Sequence, residues 1–149
     1  MLSNKGKYGL KALIHLAALP PGVSAQGADI AARNNIPKKF LDGILLELRN
    51  AGVVHSRKGP GGGYRLARPA SQIRIGAVVR VLDGPLAPIA CVSQSAYQPC
   101  EDCGDPCRCP VREAMRMARD AIAYVLDNME LSALVAHAEP HDDLWMYVI

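Results

Sequence analysis

Ser56-Arg57-Lys58-Gly59-Pro60-Gly61-Gly62-Gly63 separates two short stretches, Val53-Val54-His55 and Tyr64-Arg65-Leu66. Both flanks read as strands, so the glycine-rich segment is the tip of a β-ribbon. Glycines let backbone approach a phosphate or enter a narrow groove. The cations Arg57 and Lys58 at such a tip suit the negative potential of a DNA minor groove. A nucleotide-binding loop does not fit. No Lys-Ser/Thr follows the glycines, and the flanks suggest a hairpin rather than strand–loop–helix.

Upstream of the ribbon, the periodicity predicts three helices. Tyr8 to Leu19 carries Leu10, Leu13, Ile14 and Ala17 at helical spacing, ended by Pro20-Pro21-Gly22. A short second helix is expected from about Ala25 to Arg33, with Ser24 as its N-cap. Asn34-Asn35-Ile36 breaks the chain, and Pro37 suits the first turn of a third helix. That helix repeats apolar residues at Phe40/Leu41, Ile44/Leu45 and Leu48, with Gly52 as its left-handed C-terminal cap. Three helices followed by a two-stranded ribbon is the order of a winged helix-turn-helix. Its third helix lies in the major groove, with Lys38, Lys39, Phe40 and Asp42 in the turn that faces base edges. Leu41, Ile44, Leu45 and Leu48 are expected to face the core.

Downstream, Ile75 to Leu82 reads as a brief helix ended by Asp83-Gly84-Pro85. Residues 86–108 show no periodicity. A long helix is expected from about Pro110 to Met129, where Val111, Met115, Ala118, Ile122, Val125 and Met129 make an a/d seam. Leu131 to Ala138 adds a short helix, and Glu139 to Ile149 carries no clear pattern. The division expected is a DNA-binding domain over 1–84, a cysteine-rich sensor loop over 85–109, a dimerisation helix with its successor over 110–138, and a tail over 139–149. The fold class is therefore mainly α with a small β-wing.

Charge follows the same division. Residues 1–70 carry eleven Lys and Arg against three acids, and residues 71–149 carry six against eleven. A basic half joined to an acidic half suggests a polyanion-binding module beside something that need not touch the polyanion. The 149 residues suffice for one ordinary core, and only 5% are aromatic, so that core is aliphatic. No run reaches the roughly 18 apolar residues of a membrane span, and the N-terminus lacks a secretory pattern. A cytoplasmic protein without a membrane partner is expected.

All five cysteines fall in one stretch: Cys91, Cys100, Cys103, Cys107 and Cys109. In a reducing compartment, such clustering points to metal or redox chemistry rather than structural disulfides. Iron–sulfur clusters need thiolates on flexible backbone, and this loop supplies them with Gly104, Pro99 and Pro106. Cys100-x-x-Cys103 is also good zinc spacing, but no second pair follows. A metal-free thiol switch is a further alternative. A thiol redox enzyme is disfavoured, because no βαβ pattern surrounds the motif. Cys109 precedes Pro110 and would sit at the long helix's N-terminus, where the dipole favours thiolate. His15, His55, His137 and His141 have no partner at ligand spacing.

The residues Lys5-Gly6-Lys7-Tyr8, Ile30-Ala31, Ile36-Pro37, Phe40-Leu41, Leu48 to Val54 and Arg57 to Tyr64 together resemble a known group. The chain is similar to the bacterial winged-helix regulator family of IscR, NsrR and CymR, over about residues 1–138. The resemblance implies a transcriptional regulator, most simply a repressor, and not an enzyme. It implies a homodimer on a pseudo-palindromic double-stranded DNA operator, with the long helix as dimer interface. It places Lys39, Phe40 and Asp42 in the base-reading turn and Lys58 as the wing's minor-groove cation. Arg57, Gly59, Gly61, Gly62 and Tyr64 complete the expected DNA surface with Lys38. It also implies an iron–sulfur cofactor, 2Fe–2S or 4Fe–4S, ahead of zinc. Relatives can place a histidine ligand where Arg112 stands and an acidic ligand where Lys7 stands. Neither residue here can serve, which leaves the fourth ligand to the loop. The expected set is Cys91, Cys100, Cys103 and Cys109, with Cys107 possible as the extra, since Cys107-x-Cys109 is cramped for two ligands of one cluster. Control by a partner protein or a metabolite, without any cluster, is the other mode the resemblance permits.

Overall fold

The computed structural model describes residues 2–138. The tail from Glu139, with His141, lies outside the described residues. Eight main elements follow in order: α1 (Asn4–Ala17), α2 (Gly27–Asn34), α3 (Lys38–Asn50), β1 (Val54–Arg57), β2 (Gly63–Leu66), α4 (Ile75–Asp83), α5 (Pro110–Asn128) and α6 (Leu131–Ala138). The fold is mainly α with one antiparallel two-stranded wing, as the periodicity predicts. Among the described residues no helix is long and apolar enough to cross a membrane.

The third helix shows how sequence fixes its limits. Pro37 stands at the N-cap, one place earlier than the first-turn position its ring also suits. At the other end Gly52 has φ 72. The Gly52 N–H donates to the Arg49 carbonyl (3.0 Å) and the Val53 N–H to the Leu48 carbonyl (2.9 Å). These two bonds form a Schellman motif, and they launch β1 directly from the helix. Leu41, Ile44, Leu45 and Leu48 are all buried, on the face the spacing assigns to the core. They pack with Leu13, Ile30, Val54, Ile73 and Val78. Each such side chain contributes about 1.5–3 kcal/mol on burial.

The second helix begins later than expected. Its N-cap is Gln26, and Ser24 does not cap it. The reason is a backbone pairing that periodicity cannot show: Ala25 and Tyr64 exchange two hydrogen bonds, of 2.9 and 2.7 Å. That bridge keeps Ala25 extended and adds a third strand-like rung beside the wing. Asn35, with φ 53, makes the break between α2 and α3.

After β2 the chain passes through a 3₁₀ turn at Ala70–Gln72 into α4. Gly84, with φ 83, ends α4 where Asp83-Gly84-Pro85 predicts. The loop that reads as featureless contains two further 3₁₀ turns, Ala90–Val92 and Pro106–Arg108. Leu131 is fully buried in the core, and α6 packs on α1, so the chain returns to the DNA-binding head after α5.

Candidate nucleic-acid interface and cysteine site

Exposed cations stand at the start of α3 (Lys38, Lys39), on the wing (Arg57, Lys58, Arg65) and at Lys7 of α1. Lys39, Arg57 and Lys58 are exposed and make no ion pair or side-chain hydrogen bond among the described residues. Lys38 differs: its Nζ lies 2.6 and 2.8 Å from the Asp42 carboxylate oxygens. The two expected base readers therefore neutralise each other across one helical turn, an exposed pair worth about 0.3–0.5 kcal/mol. Phe40 remains 44% exposed, its ring edge-on to Tyr8 at 5.7 Å. The sequence gives no sign of the Tyr8–Phe40 stack, because it joins two distant segments.

The wing residues divide into two groups. Gly59 and Gly61 are exposed at the tip, whereas Gly62 and Gly63 are buried. A Cβ on Gly62 would collide with the Arg57 carbonyl, and one on Gly63 with the Ala25 carbonyl. The Gly62 carbonyl accepts from the Gln26 side chain at 2.9 Å. Tyr64 is half-buried against the core. Gly62 and Tyr64 thus anchor the wing to the start of α2, and Arg57, Lys58, Gly59 and Gly61 form its outer edge.

The cysteine site is built where α5 begins. Cys109 is the N-cap of α5, and its sulfur accepts from the Arg112 N–H at 3.4 Å. Cys91 is buried in the turn Ala90–Val92. Cys91, Cys100, Cys103 and Cys109 line one cavity of about 50 Å³, with Ile89, Tyr97, Pro106, Val111 and Arg112. Cys107 is exposed and lies outside that lining. The Cys91 sulfur beside it raises the Cys100 thiol above its ordinary pKa. Burial, then the neighbouring Cys109, raises Cys103 likewise. Burial and the neighbouring sulfurs thus penalise the thiolate forms of Cys100 and Cys103. A metal centre removes that penalty by binding the thiolates directly. The donor set and its apolar walls therefore fit an iron–sulfur group.

Two arginines of α5 hold the cysteine turn. Arg112 Nε donates to the Cys91 carbonyl at 3.2 Å, and Arg119 Nη1 to the Val92 carbonyl at 2.5 Å. The opposite end of α5 is fixed to the head. Arg80 makes two hydrogen bonds to the Asp127 carboxylate, and Arg74 donates to the Asn128 carbonyl at 3.3 Å. Asp127 holds Arg80 above its ordinary pKa, and Arg80 holds Asp127 below its own.

Of the expected α5 seam, Val111 and Val125 are exposed and only its last residue, Met129, packs against the core. Leu126 and Met129 pack against the core. Val111 (64%), Met117 (63%), Tyr124 (74%) and Val125 (51%) are exposed. Heptad spacing alone does not say that the chain's own body covers the C-terminal end of the seam.

The family model named Rrf2, described as an iron-dependent transcriptional regulator, matches residues 2–137. An rrf2-like HTH-type transcriptional regulator of Rhodobacter capsulatus is 41% identical over 143 residues, 94% of this chain and 95% of that protein. The structure of CymR, the global cysteine regulator of B. subtilis, superposes with TM-score 0.77 at 34% identity, covering 93% of this chain and 98% of that one. The structure of T. potens IscR gives TM-score 0.73 at 28% identity, covering 93% and 88%.

Proposed function

The chain belongs to the Rrf2 family of winged-helix transcriptional regulators, and from that premise we propose a cytoplasmic repressor that couples operator binding to an iron–sulfur group in its cysteine loop. Two copies associate through exposed apolar residues of α5, Val111 and Val125 of the heptad seam among them. The two α3 helices then enter successive major grooves about 34 Å apart. Lys39 and Phe40 face base edges, the Lys38–Asp42 pair reads as a unit, and Arg57, Lys58, Gly59 and Gly61 follow the minor groove.

Cys91, Cys100, Cys103 and Cys109 would hold the group. When bound, it supplies an iron centre sensitive to oxidants and to iron supply. The chain's own residues convert its presence into geometry. Arg80 and Arg74 fix the C-terminal end of α5 to the head, while Arg112 and Arg119 tie its N-terminal half to the cysteine turn. Tying four thiolates together therefore sets the angle of α5 and with it the spacing of the two heads. A coupling of about 1–3 kcal/mol suffices to change operator occupancy 5- to 150-fold.

The observation that carries this reading is the convergence of four thiols, and not the fifth, on one cavity at the start of α5. Binding-site selection with anaerobic protein tests it, alongside protein stripped of iron by chelator. A palindromic sequence with half-sites one helical turn apart, bound with different affinity by the two forms, is the expected result. Equal affinity of both forms would remove the sensing role, and no enriched sequence would remove the docking geometry.

A second reading is favoured by the gathering of Cys91, Cys100, Cys103 and Cys109 about one cavity. It is a metal-free thiol switch that forms disulfides under oxidation. Iron-free protein whose operator affinity changes on thiol oxidation would establish it instead.

A further inference from the structure

Arg112 occupies an electrostatically awkward position. It is the third residue of α5, in the first turn, where the helix dipole disfavours cations. Its neighbours on the helix have carboxylate partners: Arg116 pairs with Glu113 and Asp120, and Arg119 with Asp120. Arg112 is half-buried and makes no ion pair among the described residues. A helix N-terminus and a half-buried guanidinium converge on one side of the four-thiol cavity, and both favour an anion there. Arg112 also touches both ends of the loop, through the Cys91 carbonyl and the Cys109 sulfur.

Resting on the iron–sulfur reading above, we propose that Arg112 is the charge partner of the cysteine site: a non-ligating cation that offsets the negative charge of all-thiolate ligation and fixes Cys91 against α5. A fourth thiolate adds one negative charge that a neutral imidazole ligand does not, and a guanidinium beside the cavity restores that balance. Arg112 is therefore a positioning residue. Its charge sets the reduction potential of the bound group, because reduction adds one more negative charge near it.

The test compares R112Q and R112K with wild type, all purified anaerobically as the full chain. Iron and acid-labile sulfide are measured first, then the reduction potential by optical titration. R112Q should lower the one-electron reduction equilibrium constant about tenfold, ~59 mV more negative. R112K, which keeps the charge, should stay within about threefold of wild type. Loss of iron from R112Q alone would also support the proposal, as a charge requirement in holding the group. A potential unchanged in R112Q overturns it, as does equal loss of iron or an equal shift in both variants. Wild-type protein without iron would instead overturn the cluster reading, and this proposal with it.

Discussion

Replacing Gly63 by alanine should cost far more than the addition of one methyl group suggests. Gly63 has φ 125, a backbone conformation that L side chains rarely adopt. The new Cβ would also meet the Ala25 carbonyl, which accepts the 2.7 Å hydrogen bond from the Tyr64 N–H. Relieving the clash means breaking the Ala25–Tyr64 bridge, with its two backbone hydrogen bonds. Each contributes about 1 kcal/mol net, and backbone strain adds about 1–2 kcal/mol. The total, about 3–4 kcal/mol, is a large share of the roughly 5–15 kcal/mol that holds an ordinary domain. Urea denaturation measures it, and amide exchange at Ala25 and Tyr64 locates it. Gly43→Ala is the control, since a Cβ at Gly43 meets nothing within 4 Å inside α3. It should gain about 0.5–1 kcal/mol. A loss under about 1 kcal/mol for Gly63→Ala, with protection at both amides unchanged, would refute the claim that the wing is pinned to α2.

Lys58→Ala should lower the salt dependence of operator binding by ~0.9 for each phosphate left without its cation, whereas Lys39→Ala should change base preference more than salt slope, and Lys38→Ala should change the slope little because Asp42 already neutralises that charge. Titrating binding against salt decides between them. His15 is held below its ordinary pKa of 6.5 by burial and then by Arg33. The unfolded chain therefore takes up the proton first as pH falls, and stability declines below about pH 6.5. His15→Gln should flatten that decline in urea midpoints measured from pH 7.5 to 5. Asp127 is depressed by Arg80, so its contribution is present above the unfolded pKa of 3.8 and lost as pH falls through the lower folded value. Asp127→Asn should shift acid unfolding upward in pH and, by releasing the fixed end of α5, weaken operator binding.

Local signals are the legible ones. Pro37 and Gly52 bracket α3 because capping depends on the residues themselves, and Leu41, Ile44, Leu45 and Leu48 repeat at the period of the face they bury. The glycine run and its flanks announce the wing for the same reason. What the sequence hides is pairing across distance. The Ala25–Tyr64 bridge displaces the N-cap from Ser24 to Gln26, the Tyr8–Phe40 stack joins α1 to α3, and Leu131 brings α6 back into the core. At the cysteine site, the grouping of Cys91, Cys100, Cys103 and Cys109 about one cavity is readable from spacing and resemblance. The role of Arg112 and Arg119 in holding the turn is not, since it depends on carbonyls about 20 or more residues away.

The central claim is that four particular thiols hold an iron–sulfur group. Iron and acid-labile sulfide per chain, measured in anaerobically purified C100A and C107A beside wild type, test it most directly. Cys100 lines the cavity and Cys107 does not. Wild type and C107A should carry equal iron and sulfide, and C100A should lose most of both. Iron-free wild type, or a loss in C107A that matches C100A, would contradict it.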